Sequence, residues 1–265
     1  VSSDQGKPRK GDREDPRAIH QRIAADLRDE IFTGELPRDR DSKKLPSTAE
    51  LVERFGASNA TIQKAVGLLK AEDLVTGRPG ASITVTARPR QTMVPAAYSA
   101  PAEPGETYRW ITEAEGQGYR ATSELREVGV VAAPREVAAA FGIPEASPVV
   151  CRSQVLHLDG QPAELVHSYY PLAIAEGTPL LETRKIKGGT PTLLAGLGYV
   201  PAPKGTVDVV TACIPTQEQF AVLQLPGELV PVLRTFRVVR TAEGVVIEVT
   251  VMVKAGHLYA LQYTF

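Results

Sequence analysis

Leu45–Val85 reads LPSTAELVERFGASNATIQKAVGLLKAEDLVTGRPGASITV, and its punctuation decides the fold of the first third of the chain. Ser47 and Glu50 have the Ser-x-x-Glu spacing of a capping box, which predicts a helix starting at Ser47 and running through Leu51 and Val52 towards Phe55, where Gly56 breaks it. Ser58 is the next N-cap. Ile62, Ala65, Val66 and Leu69 recur behind it at helical spacing, so a second helix packs one face and presents Asn59, Ala60, Gln63 and Lys64 elsewhere. Two helices across a short Gly-containing turn are the geometry that sets a helix N-terminus in a DNA major groove.

Working outward, Leu74–Thr76 and Ile83–Thr86 are short β-prone runs joined by Gly77, Arg78, Pro79, Gly80, Ala81 and Ser82, which is hairpin chemistry with a basic tip. On the other side, Ile19, Ile23, Leu27 and Ile31 form an apolar stripe with a four-residue repeat, the supporting helix that a two-helix unit needs for a core. Three helices and a hairpin make a winged helix.

These residues carry a family resemblance. Ile23–Leu36 (IAADLRDEIFTGEL), Leu45–Leu51 (LPSTAEL), Phe55–Leu69 (FGASNATIQKAVGLL) and the wing resemble the DNA-binding domain of the GntR family of bacterial transcriptional regulators. The remainder resembles the effector-binding (UTRA) domain of the HutC branch, which shares its fold with chorismate lyase. The resemblance and the helix-wing geometry give Lys43, Lys44, Ser47, Ser58, Asn59, Thr61, Gln63, Lys64, Arg78, Gly80 and Ser82 as candidate DNA contacts. Two departures stand out. A longer charged segment, Arg38–Lys44, replaces the family's usual loop Gly, and Asn59 and Gln63 stand where reading-helix arginines are usual. Asn and Gln offer the paired donor and acceptor that suit adenine, so a guanine-reading operator does not transfer to this chain.

A length of 265 residues with 43% hydrophobic content suits two globular domains. The net charge of -1 gives no global basic field, but residues 1–90 hold 17 Lys and Arg against 14 Asp and Glu, while the rest holds 13 against 17. This mildly basic head on an acidic body fits a phosphate-contacting domain joined to a sensor. The first dozen residues are polar, without the apolar run of a signal peptide or membrane span, so a flexible arm (1–15) and a cytoplasmic location are expected. Cys151 and Cys213, each in an apolar β-prone run, are expected as buried free thiols.

Residues 16–86 are thus expected to form the winged helix. The Pro-containing 87–106 is expected as an extended linker, and 107–265 as a body for effector binding and dimerisation. The body contains a weak repeat. Ala140–Glu164 and Leu223–Glu248 share a helix end, a Pro stop, a strand, a turn (Asp159-Gly160, Glu243-Gly244) and a second strand, with a Glu four residues after each turn Gly. Two such halves would pair into one antiparallel sheet flanked by helices, giving an α+β chain overall. Between them, Thr192–Leu197 reads as a short helix and Thr206–Ile214 as a strand with Val207, Val209 and Cys213 on one face, and a helix follows through Phe220 and Leu223.

Arg152 and Gln154 lie two apart on one strand and so share a face, and the hairpin brings the strand of Glu164 alongside, so that a basic, an amide and an acidic group are expected to converge. The alternative is an exposed cross-strand salt bridge. In the resemblance such positions line the effector pocket, joined by Thr122, Ser123, Tyr170, Glu248 and Tyr259. An Arg there suits an anion and a Glu a hydroxyl or amine, so the expected effector is small and anionic or polyhydroxylated. His20, His157, His167 and His257 lack metal-ligand spacing, and neither a phosphate loop nor a Gly-x-Ser-x-Gly elbow occurs, so no metal, cofactor or catalysis is expected. The reading is a homodimeric regulator, most simply a repressor, that binds an operator in double-stranded DNA, with no membrane partner. The competing classes are a chorismate-lyase-like enzyme and a ligand-free DNA-binding module.

Overall fold

The computed structural model describes residues 15–36, 44–78, 82–86, 91–95, 100–103 and 106–263. The chain divides into two compact units, Val1–Ala87 and Arg88–Phe265.

In the first unit the helices are α1 (Ile19–Thr33), α2 (Thr48–Phe55) and α3 (Asn59–Ala71), and the wing is the hairpin of β1 (Val75–Thr76) and β2 (Thr84–Val85). The local signals act as their chemistry predicts. Ser47 Oγ accepts from Glu50 N (3.3 Å) while Glu50 Oε2 accepts from Ser47 N (2.9 Å), so two of the donors orphaned at the start of α2 are satisfied. Gly56 ends α2 at φ 59°, in the left-handed region that costs a side chain dearly. Ile23, Leu27, Leu51, Ile62, Val66, Leu69 and Leu74 close the core. Ile19, the first member of the expected α1 stripe, lies at the helix start and is exposed, whereas Ala24 takes a core place. The Arg28 guanidinium forks onto Glu72 at 2.7 and 2.6 Å and so ties α1 to the end of α3.

In the second unit an antiparallel six-stranded sheet has the order β4-β5-β6-β9-β8-β7. Its strands are β4 (Ala121–Ala132), β5 (Pro148–Leu158), β6 (Gln161–Pro171), β7 (Thr206–Cys213), β8 (Val232–Arg240) and β9 (Val246–Ala255). The order maps onto itself when β4, β5 and β6 are exchanged for β7, β8 and β9, so the repeat is real and larger than the sequence suggests: each half also owns an outer strand. Register fixes the equivalences. Glu164 stands opposite Leu156 and Glu248 opposite Val239, each pair followed by a bulge. Arg152 therefore corresponds to Thr235, Gln154 to Arg237 and Tyr170 to Lys254. The hairpins differ in detail: Asp159 and Gly160 both have positive φ, as a two-residue primed turn requires, whereas Arg240 and Val246 are joined by a longer loop closed by Thr241 N to Val245 O.

The remaining elements are α4 (Arg109–Gly116), α5 (Arg135–Phe141), α6 (Leu172–Ala175), a 3-10 turn (Pro179–Leu181), α7 (Gly189–Gly196) and α8 (Gln217–Val222). Edge strand β7 forms as expected but keeps Val207, Val209 and Cys213 exposed, and Cys151 is only half-buried; both thiols are free. Part of the segment expected as a linker is built into this unit. β3 (Gln91–Met93) pairs in parallel with β10 (Tyr259–Leu261), Val94 N donates to Glu113 Oε1, and Met93 is fully buried beside Trp110, Met252 and Tyr259.

Candidate nucleic-acid interface and ligand cavity

In the first unit the residues that face solvent on α3 follow from those that do not. Ile62, Ala65, Val66 and Leu69 are buried, which leaves Asn59, Ala60, Gln63, Lys64 and Gly67 as one exposed face. Ser58 caps this helix by accepting from Thr61 N (3.2 Å), and its hydroxyl also meets Thr61 Oγ1. Ser47 is likewise committed to its capping box, so both serines position the helices. Gln63 Nε2 donates to Thr48 Oγ1 at 3.2 Å, which steadies the amide. The wing is braced twice: Lys44 bridges to Thr84, and Lys70 Nζ donates to Gly77 O at 2.9 Å. Arg78 and Ser82 are exposed beside it. Lys43 and Gly80 lie outside the described residues.

In the second unit two adjoining hollows open on one face of the sheet, enclosing about 500 and about 580 Å³ of space including the mouth, and share Tyr108, Gln154, Ser168 and Thr190 as a common wall. One lobe is bounded by Arg152, Ser123, Tyr170 and Lys185 and by Gly189 and Thr190 at the start of α7; the other by Glu248, Thr250 and Arg237. Gly189 has φ 81°, and a Cβ there would come 2.6 Å from the Tyr108 ring, so only glycine allows α7 to start so close to this wall.

Of the expected effector residues, Ser123, Arg152, Gln154, Tyr170 and Glu248 come together around this cavity. Thr122 is exposed and is not part of the lining. The expected convergence of Arg152 with Glu164 does not form. Arg152 stands opposite Ser168, and its guanidinium is drawn into the backbone: Nη1 donates to the carbonyls of Leu180 and Glu182 (2.9 Å each) and Pro179 (3.3 Å), and Nη2 to that of Arg184 (2.7 Å). It thereby staples the segment that delivers Lys185 and Ile186 to the cavity wall. Glu164 instead accepts from Lys254 Nζ (3.1 Å) and Tyr259 OH (3.0 Å), with both members of the ion pair only 1% exposed. An exposed salt bridge is equally absent between Arg152 and Glu164, because each is buried with other partners.

Glu248 is buried without an ion pair of that kind among the described residues. Thr250 Oγ1 donates to it at 2.5 Å, and Arg237, which lies near, donates through Nε and Nη2 to the two oxygens of Asp208 (2.6 Å each). Burial raises the Glu248 carboxyl above its usual range, while Thr250, Arg237, Tyr170 and Ser168 pull it back in part. The Tyr170 hydroxyl, fully buried, lies near Ser168 and Thr190 but reaches hydrogen-bond geometry with neither. Sequence reasoning missed Tyr108, Ser168, Lys185, Thr190, Arg237 and Thr250. Arg237 was within reach, because the repeat pairs it with Gln154; the loop residues carried no periodic signal.

A winged helix with a solvent-facing second helix, joined to a sheet domain with a polar cavity, defines a DNA-binding regulator with a ligand-binding domain. Residues 19–85 match the gntR family of bacterial regulatory proteins and residues 116–260 match the UTRA domain. The chain belongs to the GntR family. It is 30% identical over 259 residues, 94% of either chain, to an uncharacterized HTH-type transcriptional regulator of Streptomyces coelicolor. A crystal structure of a GntR-family regulator superposes with a TM-score of 0.62 at 24% identity, covering 94% of this chain and 98% of the other. PhnF from Mycobacterium smegmatis superposes at 0.55 and 21%, covering 92% and 98%, and these two likenesses establish the shared fold. Among the described residues no helix is long and apolar enough to cross a membrane, and no cluster of metal-ligating side chains occurs.

Proposed function

We propose that the protein is a homodimeric repressor of the bacterial cytoplasm. Each head sets the start of α3 in a major groove of an inverted half-site, with Arg78 near the flanking minor groove or phosphates, and a small anionic or polyhydroxylated metabolite in the cavity changes operator affinity. No catalytic role is assigned to the cavity. The observation that carries this reading is the exposed face of Asn59, Ala60, Gln63 and Lys64 on a helix whose other face is locked into the core. An anion is supported by Lys185, the Arg152-stapled segment and the start of α7 bounding one lobe.

Genomic selection with the purified protein tests it: an inverted-repeat motif should be enriched, and failure to recover any motif overturns the reading. Asn59→Ala or Gln63→Ala should relax base preference at about 1–3 kcal/mol per lost paired contact, whereas Lys64→Ala should weaken all sequences alike and flatten the salt dependence. Ligand and operator must also weaken each other by the same factor, about 5- to 150-fold for a typical coupling. Equal ligand affinity with and without operator would remove the regulatory role of that ligand.

A further inference from the structure

The two halves of the sheet each place a glutamate on the strand next to the pseudo-twofold, at Glu164 and Glu248. They are completed differently. In the first half the cross-strand partner of Glu164 is Lys254, whose ammonium sits on the carboxylate and also reaches Thr235 Oγ1 at 3.4 Å. In the second half the register continues past Tyr169 and Val249 to bring Tyr170 beside Glu248, so a phenol stands where the related site has an ammonium. The cation that could have compensated, Arg152, occupies the position of Thr235 and is turned onto four backbone carbonyls. Arg237 is held by Asp208. Glu164 is sealed, whereas Glu248 lines the cavity.

The geometry points to a ligand that carries a cationic amine as well as its anionic group, with the ammonium seated on Glu248 as Lys254 is seated on Glu164, and the anion in the lobe bounded by Lys185 and Thr190. This rests on the effector reading above and deepens it to a bipolar class of compound. A buried carboxylate whose neighbouring cation, Arg237, is already paired with Asp208 gains more from an ammonium than from a hydroxyl, because a charge-assisted hydrogen bond is roughly twice as strong as a neutral one and the low dielectric of the site magnifies it. Thr250 Oγ1 and the Gln154 side chain on the shared wall can then orient the amine.

Direct binding to the full chain without DNA tests the proposal by calorimetry with matched probes: short ω-aminoalkyl phosphates against alkyl phosphates of equal length, and ω-amino acids against the corresponding alkanoates. For the length that fits, the amine should bind about tenfold tighter than its deaminated partner. In Glu248→Gln the two members of each pair should bind alike. The wild-type comparison decides the matter even if that variant folds poorly. Equal affinity within every pair, or no binding by any probe, overturns the proposal, as does an amine advantage that survives in Glu248→Gln. Operator affinity is measured separately with the best probe: a ligand that binds with the amine preference yet leaves operator affinity unchanged sinks the regulatory reading and supports the cavity chemistry.

Discussion

Glu164 and Glu248 occupy related positions in a sheet that is nearly its own repeat, yet one is closed by Lys254 and Tyr259 while the other lines an open cavity beside Tyr170. The strands, the bulges and the burial are shared; the difference lies in which partner carries the cation. Duplicated scaffolds hold a spare polar position in each half. Pairing one with a lysine from within the chain gives a strut, and leaving its twin without a cross-strand cation gives a place for something else to bind.

The strut should be the costliest to break. Lys254→Met leaves Glu164 charged, buried and without its ion-pair partner, and should lower unfolding free energy in denaturant by about 3–5 kcal/mol; adding Glu164→Leu should restore most of it. If the double variant is no better than the single one, the pair is not what closes this half. Next is Arg152, whose guanidinium is held by backbone carbonyls. Arg152→Ala removes the donor to the buried Leu180 carbonyl and those to the half-buried carbonyls of Glu182 and Arg184, and should cost about 2–4 kcal/mol, with faster amide exchange across residues 179–186. Normal exchange there would mean that the staple is dispensable.

Glu248→Gln should have a smaller effect with a distinctive pH signature. The groups around the carboxyl are Arg237, Tyr170, Thr250 and Ser168, and burial outweighs them, so its folded pKa is raised. A raised acid favours the fold when protonated: that contribution is full below the unfolded pKa and is lost as pH rises through the folded value. Thermal unfolding from about pH 4 to about pH 8 should therefore show Glu248→Gln gaining on the wild type as pH increases. A difference that stays flat, or that moves in the wild type's favour as pH rises, would mean that Glu248 is compensated after all. The smallest change is Tyr259→Phe, which removes one hydrogen bond to Glu164 and should cost about 0.5–1.5 kcal/mol without touching the cavity.

Much of the fold was legible because its signals are local. Ser47, Glu50, Gly56 and Ser58 fix two helices through bonds spanning a few residues, and the turn glycines with a Glu four residues later reveal the repeat. The site was legible only in part. Arg152, Gln154 and Glu248 are visible as polar residues on β-strands, but the destination of the Arg152 guanidinium depends on carbonyls 27 to 32 residues away in a segment without periodicity. Likewise, nothing near Glu164 or Glu248 says which will meet Lys254, because that is set by the pairing of β6 with β9. Cys213 misled for the complementary reason: an apolar β-prone run fits an edge strand as well as a central one, and β7 lies at the edge.

The pairing of β3 with β10 joins segments that the whole six-stranded sheet separates in sequence. During synthesis the winged helix, built from near neighbours, can fold as soon as it emerges, but the strand that follows it must wait for a partner made only after the sheet. A nascent or truncated chain that stops before Tyr259 would carry a finished DNA-reading head followed by a β3 that has no strand to pair with. Removing the residues that follow Ala255 therefore takes away the partner of β3 and, with Tyr259, one of the two groups that close Glu164.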